Sequence, residues 1–274
     1  MRVRRFVAVA CIAVAGCNAR GLGIAPPPAV STADARFVRF STLPPGSALP
    51  SDATCAARVH AMPENKGMNR RYNATPGRQT LGTHFFPSGS DDPRANSQIA
   101  VRVDGNFTGT TDEILQWVSC KWGIDTDLVR AQAAQESWWQ QTTLGDWNTD
   151  PSYCAPGHGL GVDEPKRHPG QCPNSWGILQ NKWFFEKPSW PGIRDSTAFN
   201  ADTAYAIWRA CYEGYVWWLG SQPAHSGYAS GDVWGCVGSW YAGAWRTPPA
   251  LTYIAGVRHY LRIKVWTKPY FQQP

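Results

Sequence analysis

Residues 110–139 read TTDEILQWVSCKWGIDTDLVRAQAAQESWW, and this stretch decides the fold class. Thr110 and Glu113 have the spacing of a capping box, so a helix is predicted to begin here and to end at Gly123. Asp125 can cap a second helix, which runs to the pair of tryptophans that closes the stretch. The stretch therefore predicts two consecutive helices.

Four further helical segments follow along the chain. One candidate covers 176–187, and the longest covers 200–219, with Asn200 as its cap and large side chains recurring at helical spacing. Two more are predicted at 232–241 and after Pro248-Pro249. Six helices predict a mainly α domain over residues 111–274, which is a common domain size.

Residues 36–110 have a different character. They contain none of the fifteen tryptophans, all of which lie between Trp117 and Trp266. They are rich in Pro, Gly, Asn and Arg, and their one strand-like run is 99–103, where apolar and polar residues alternate. We expect an irregular extension with little β structure that packs against the helical domain; a separate small domain is the alternative.

The first residues resemble an export signal of the bacterial lipoprotein type. MRVRR is basic, the following FVAVACIAVAG is a short apolar run, and Val14-Ala15-Gly16-Cys17 resembles a lipobox. We predict a signal peptide over 1–16, lipidation of Cys17, and a Pro/Ala-rich tether over 17–35 to a membrane-anchored protein of the cell envelope. Cleavage without lipidation, which would give a secreted protein, is the alternative.

Composition excludes several classes of protein. Charged residues make up only 17% of the 274 residues and hydrophobic residues 43%, which is unlike a disordered chain. The net charge of +6 falls to +3 without the three arginines of 1–16, and no basic cluster marks a nucleic-acid site. No later stretch contains eighteen consecutive apolar residues, so a multi-span membrane protein is excluded.

Six cysteines remain when Cys11 of the signal peptide and the lipidated Cys17 are set aside. An even number in an oxidising compartment predicts three disulfides, which we assign by proximity as Cys55–Cys120, Cys154–Cys172 and Cys211–Cys236. Cys154 and Cys172 also flank His158 and His168 symmetrically, so a Cys2His2 zinc site is the alternative for that pair. We expect the disulfide, and no metal.

Glu136 is the most informative single residue. Val129, Ala133 and Glu136 lie at i, i+4 and i+7 of the second helix, so the carboxyl shares a stripe of small apolar side chains. Apolar surroundings favour the neutral acid, which is the form that a general acid at a glycosidic oxygen requires. A solvated glutamate at a helix end, or one paired with Arg130, is the ordinary alternative.

Three motifs in order resemble those of the soluble lytic transglycosylases, which belong with the goose-type lysozymes in the lysozyme-like superfamily. The motifs are a Glu-Ser pair at a helix end, a Gly-Leu-Met-Gln turn and a Tyr-Asn-x-Gly element. Here they are Glu136-Ser137, Gly177-Ile178-Leu179-Gln180 and Tyr241-Ala242-Gly243. The resemblance covers about 112–265 and implies a lysozyme-like helical domain that cleaves peptidoglycan glycan strands without a cofactor.

The resemblance also implies a role for each matching residue. Glu136 would protonate the leaving oxygen of the β-1,4 bond between N-acetylmuramic acid and N-acetylglucosamine and then act as base. Tyr241 would hydrogen-bond near Glu136. The other predicted substrate-binding residues are Ser137, Ser175, Gly177, Ile178 and Gln180, together with Trp138 and Trp176. Trp138, Trp139 and Trp176 adjoin the motifs, and each is a candidate to line the cleft; packing in the core is the alternative.

Two alternatives remain for the function. A hydrolase of the same fold would use a second carboxylate, for which Asp146 and Asp150 are the nearest candidates, although both are also typical turn residues. A non-catalytic envelope protein would bind glycan or dock cell-wall synthesis or division proteins. The third motif lacks its Asn, and residues 146–174 are an insertion relative to the family; both features favour this second alternative.

Overall fold

The computed structural model describes residues 41–221 and 227–272, and the chain is mainly helical there. The predicted signal peptide, Cys17 and the tether lie outside the described residues. The α-helices are α1 (Asp52–Ala56), α2 (Arg70–Asn73), α3 (Thr111–Trp122), α4 (Thr126–Ser137), α5 (Gly192–Asp195), α6 (Thr197–Glu213), α7 (Trp218–Ser221), α8 (Val233–Ala242) and α9 (Pro248–Ile263). The strands β1 (Leu144–Gly145), β2 (Ser175–Trp176) and β3 (Asn181–Lys182) form one antiparallel sheet in that order.

The caps of α3 and α4 are those predicted from the sequence. The Thr110 side chain accepts from the Glu113 N–H while the Glu113 carboxylate accepts from the Thr110 N–H, and Gly123 ends α3 in the left-handed region. Asp125 caps α4 by accepting from the N–H groups of residues 127 and 128. These local signals therefore fix where the two helices begin.

The core lies between α3, α4, α6, α8 and α9. Trp117, Trp122 and Trp208 are buried in it, as expected for large aromatic side chains on helix faces. Helix α9 packs against α4, with Gly256 beside the side chain of Gln135; a Cβ at residue 256 would lie 2.3 Å from Oε1 of Gln135. The middle of α9 therefore lies against the last turns of α4.

The extension packs against the helices and belongs to the same compact unit, 36–274. The N–H of Leu43 donates to the Gly123 carbonyl (2.8 Å), and Cys55 is disulfide-bonded to Cys120 in α3. Asp202 in α6 accepts the N–H of Gly105 (2.9 Å). Disulfide and hydrogen bonds thus hold an irregular segment that has little secondary structure of its own.

Three local predictions are wrong. The run 99–103 is not a strand: a π-helical turn (Ala95–Ile99) leads into a 3₁₀ turn (Ala100–Arg102), and Ile99 and Val103 are buried four residues apart while Val101 is 45% exposed. The segment 176–187 is not a helix: residues 175–182 form the β2–β3 hairpin, in which Gly177 and Gln180 have positive φ, and a turn follows. Helix α6 begins earlier than predicted, with Ser196 as its cap.

The three predicted disulfides are confirmed. Cys55–Cys120, Cys154–Cys172 and Cys211–Cys236 are all paired. The second pair leaves no thiolate for the alternative zinc site, and no metal-binding group of three His, Cys, Asp or Glu occurs within 41–221 and 227–272. Over the same residues, no helix has the length and apolar character to span a bilayer.

Candidate active site

Glu136 lies in the last turn of α4, where α8, α9 and β3 meet. Its side chain is partly exposed, and the surrounding protein removes enough water to raise the pKa of its carboxyl to about 7. The Tyr253 hydroxyl and the Trp240 side chain hydrogen-bond to it and, with the Lys182 ammonium, lower its pKa against this desolvation. Glu136 can therefore hold a proton near neutral pH and release it.

The chain turns sharply after Glu136-Ser137. Trp138 and Trp139 both adopt left-handed backbone conformations, with φ of 57° and 65°. Such conformations are unfavourable for bulky residues and are found preferentially at functional sites. Asp146 (φ 49°) and Gln180 (φ 54°), which are close to the same site, share this feature.

The predicted second motif packs behind the end of α4. The Ser137 hydroxyl donates to the Ile178 carbonyl (2.8 Å), so the first and second motifs are in direct contact. Gly177 is required at its position, because its φ is +80° and a Cβ would lie 2.3 Å from the Asn200 side chain. The same Asn200 accepts the Leu179 N–H (3.0 Å). The motif is thus held as a rigid turn.

The predicted substrate-binding residues differ in how accessible they are. Ser137, Ser175, Gly177 and Ile178 are buried, so they support the site from behind rather than face a ligand. Gln180 is partly exposed, but its amide nitrogen donates to the carbonyls of Gly177 (2.8 Å) and Thr143 (3.1 Å).

The two predicted substrate-binding tryptophans both pack against other aromatic side chains but differ in exposure. Trp176 is 2% exposed and contacts the rings of His158 and Trp190, so it has no stacking surface open to solvent. Trp138 is partly exposed and packs against Tyr260 and Phe271. Trp139 is 0% exposed, so of the three tryptophans considered for the cleft only Trp138 has a surface open to a ligand.

The tyrosine next to Glu136 differs from the one that the resemblance implies. Tyr253 in α9, rather than Tyr241, donates its hydroxyl to Glu136 Oε1. Tyr241 is 53% exposed in the last turn of α8, and its ring stacks in parallel on that of Tyr253, with centroids 4.9 Å apart. The implied contact of Tyr241 with Glu136 is thus made by its stacking partner, because α9 is the helix that packs on α4.

The two candidate second carboxylates have different surroundings. Asp146 follows β1, accepts from the Ser175 hydroxyl (2.6 Å) and pairs with the Lys182 ammonium (2.9 Å), and these contacts lower its pKa. Its negative charge in turn raises the pKa of Glu136, which places the two groups within electrostatic reach. Asp150 is exposed and caps the 3₁₀ turn Pro151–Tyr153, as a turn residue does.

Three residues of the site are missing from the sequence-based prediction: Tyr253, Trp240 and Lys182. The sequence does contain a pattern that indicates burial of Tyr253: it lies four residues before Val257 and hence on the apolar face of a predicted helix. No sequence pattern pointed to Lys182, because its segment is predicted as a helix but forms a strand.

Comparisons with known proteins add nothing to this geometry: no protein-family model matches the chain, and no curated protein or solved structure is significantly similar to it.

Proposed function

We propose that this chain is an exported enzyme that cleaves β-1,4 glycosidic bonds in peptidoglycan, with Glu136 as general acid and then base. The observation that carries the proposal is the Glu136 carboxyl, which lies partly open at a helix end with a pKa of about 7. That value suits a group that must give up and take back a proton near neutral pH.

The leading chemistry is that of a lytic transglycosylase. Glu136 donates its proton to the O4 leaving group as the C1–O4 bond breaks. The 6-hydroxyl oxygen of the same muramic acid then bonds to C1, and its proton passes to the Glu136 carboxylate. The sugar and Glu136 account for every bond and proton of this reaction, so it consumes no water and needs no second carboxylate.

Hydrolysis is the second candidate, and Asp146 is the observation that favours it. Lys182 and Ser175 hold Asp146 ionised while burial holds Glu136 protonated. Two carboxyl groups whose pKa values are pushed apart are typical of an acid and its ionised partner in glycosidases. In that case Glu136 gives its proton to O4 as the C1–O4 bond breaks, the oxygen of a water molecule bonds to C1, and the proton of that water passes to one of the two carboxylates. The product then ends in a reducing sugar.

Envelope attachment through Cys17, and docking of cell-wall synthesis or division proteins, remain proposals from the sequence. A glycan-binding role without catalysis is the remaining alternative. Such a protein would bind the same glycan strands as the proposed enzyme but would not cleave them.

The deciding experiment is mass spectrometry of the soluble products released from purified peptidoglycan by residues 18–274. Anhydro ends would support the transglycosylase, reducing ends the hydrolase. Folded, disulfide-bonded protein that releases no product would refute both. We expect Glu136→Gln to lower release at least about a hundredfold. The matched control Glu164→Gln, at an exposed glutamate of the 146–174 loop, should retain it.

A further inference from the structure

We propose that Asn69, in the extension, is a positioning residue for Glu136 and that Lys66, Asn69 and Phe271 together form a clamp on the turn that follows it. The proposal rests on the proposed role of Glu136 and assigns to the extension a part in the active site. The Trp138–Trp139 turn is the element on which the clamp acts.

This turn needs external support because two consecutive bulky residues are left-handed. Trp138 ends α4 at φ 57° and Trp139 continues at φ 65°. Neither side chain favours that conformation, so the surrounding structure must hold it. If the turn relaxed, the last turn of α4, which carries Glu136, would shift with it.

Asn69 hydrogen-bonds to the backbone at two points, at the second residue of the turn and two residues after it. Its Nδ2 donates to the Trp139 carbonyl (2.6 Å), and its Oδ1 accepts the Gln141 N–H (2.8 Å). The residue is 0% exposed, and the same Nδ2 also donates to the Thr111 hydroxyl (3.0 Å) at the start of α3. One buried amide side chain therefore ties the turn to α3.

Phe271 packs against the side chains of both tryptophans of the turn. Its ring centroid lies 4.6 Å from that of Trp138 and 5.1 Å from that of Trp139. The ammonium of Lys66, three residues before Asn69, donates to the Phe271 carbonyl and lies 4.5 Å from its ring centroid. Within four residues, the extension thus contacts the turn directly through Asn69 and the Phe271 that packs on the turn through Lys66.

The clamp also reaches the second motif through Gln141. The Gln141 Oε1 accepts the Ile178 N–H (3.0 Å), and the Ile178 carbonyl accepts the Ser137 hydroxyl (2.8 Å). A continuous set of buried hydrogen bonds therefore runs from Asn69 to the residue next to Glu136. This connection is what distinguishes positioning from general bracing.

The test uses residues 18–274 and a readout that needs no substrate. The pKa of the Glu136 carboxyl is measured by ¹³C NMR titration, with Glu136→Gln to assign the signal. In Asn69→Ala we expect this pKa to fall from about 7 towards its ordinary value near 4.5, because a loosened turn admits water. On peptidoglycan, kcat should fall about tenfold to a hundredfold with KM nearly unchanged.

Asn96→Ala is the matched control. Asn96 is another extension asparagine that bonds to backbone on both sides, through the N–H (2.9 Å) and carbonyl (2.8 Å) of Phe86, away from Glu136. It should leave the Glu136 pKa unchanged. Phe271→Leu perturbs the clamp from its other side without removing a hydrogen bond and should lower the same pKa by a smaller amount.

An unchanged Glu136 pKa in folded Asn69→Ala would overturn the proposal, as would an equal fall in Asn96→Ala. If Asn69→Ala does not fold, Phe271→Leu decides in the same way. A fall in pKa in a protein with no lytic activity would support the clamp while refuting the proposed function, so the two failures can be told apart.

Discussion

Tyr253 in α9 donates its hydroxyl to Oε1 of Glu136 in α4, across 117 residues of sequence. Helix α9 packs against α4, and Gly256 in α9 lies beside the side chain of Gln135, the residue before Glu136. A phenol that donates to a carboxylate stabilises the ionised form. The site therefore combines burial, which favours the acid, with a donor that limits how far its pKa rises.

Tyr253→Phe removes that donor and leaves the ring in place. We expect the pKa of Glu136 to rise above about 7, since the lost hydrogen bond had favoured the carboxylate. The alkaline limb of the kcat/KM profile against pH should move up with it. Tyr241→Phe is the matched control and should leave the profile where it is; the opposite pattern would restore the role implied for Tyr241.

Lys182→Met removes the cation that faces both carboxyl groups. The pKa values of Asp146 and Glu136 should then both rise, because Lys182 lowers each of them. NMR titration of the two carboxyl carbons would measure this. Lys264→Met, which breaks the exposed pair with Asp127 (2.7 Å), should move neither. Unchanged values in Lys182→Met would show that the Asp146 pair does not persist in solution.

Glu186 is a second buried carboxyl, and it predicts a pH-dependent stability. Burial raises its pKa to about 8, and its Oε2 has no hydrogen-bond partner among the described residues. A pKa raised by folding contributes stability that is fully present below the unfolded value near 4.5 and is lost as the pH rises through about 8.

Glu186→Gln removes the ionisable group and keeps the acceptor for the Lys182 N–H (3.1 Å). Urea denaturation should show the free energy of unfolding of the variant rising relative to that of the unmutated chain by about 4 kcal/mol between pH 5 and pH 9. The same difference in free energy of unfolding between the variant and the unmutated chain at pH 5 and at pH 9 would contradict the raised pKa of Glu186.

The disulfides should differ in their contribution to stability. Cys55–Cys120 closes a loop of 65 residues and Cys154–Cys172 one of 18. The chain-entropy argument predicts that replacing the first pair by alanine lowers the free energy of unfolding by about 1 kcal/mol more than replacing the second. Non-reducing urea denaturation of the two double variants would measure the difference. A larger loss for Cys154–Cys172 would mean that native contacts of the 146–174 loop dominate.

Local signals were sufficient for several parts of this structure. The capping box at Thr110, the Asp125 cap and the glycine stop at Gly123 act within a few residues, so the sequence predicts the starts of α3 and α4 correctly. The desolvation of Glu136 could be predicted because its apolar stripe belongs to one helix. The disulfide pairing was also predicted, since each cysteine pairs with its neighbour in the sequence.

Other parts depend on contacts between distant segments. The helix expected at 176–187 is a hairpin because Gly177 must fit against Asn200, which belongs to α6. Tyr253 replaces Tyr241 beside Glu136 because of how α8 and α9 pack. Asn69 lies 70 residues from Trp139, in a segment with no recognisable pattern.

Helix type, helix ends and an acidic residue on an apolar face are properties of short segments, and the amino-acid order is enough to establish them. The partners of Glu136, the ionisation of Asp146 and the support of the Trp138–Trp139 turn were set by folding. All three depend on burial and on side chains brought together from far along the chain, and none of them is encoded in a local stretch of sequence.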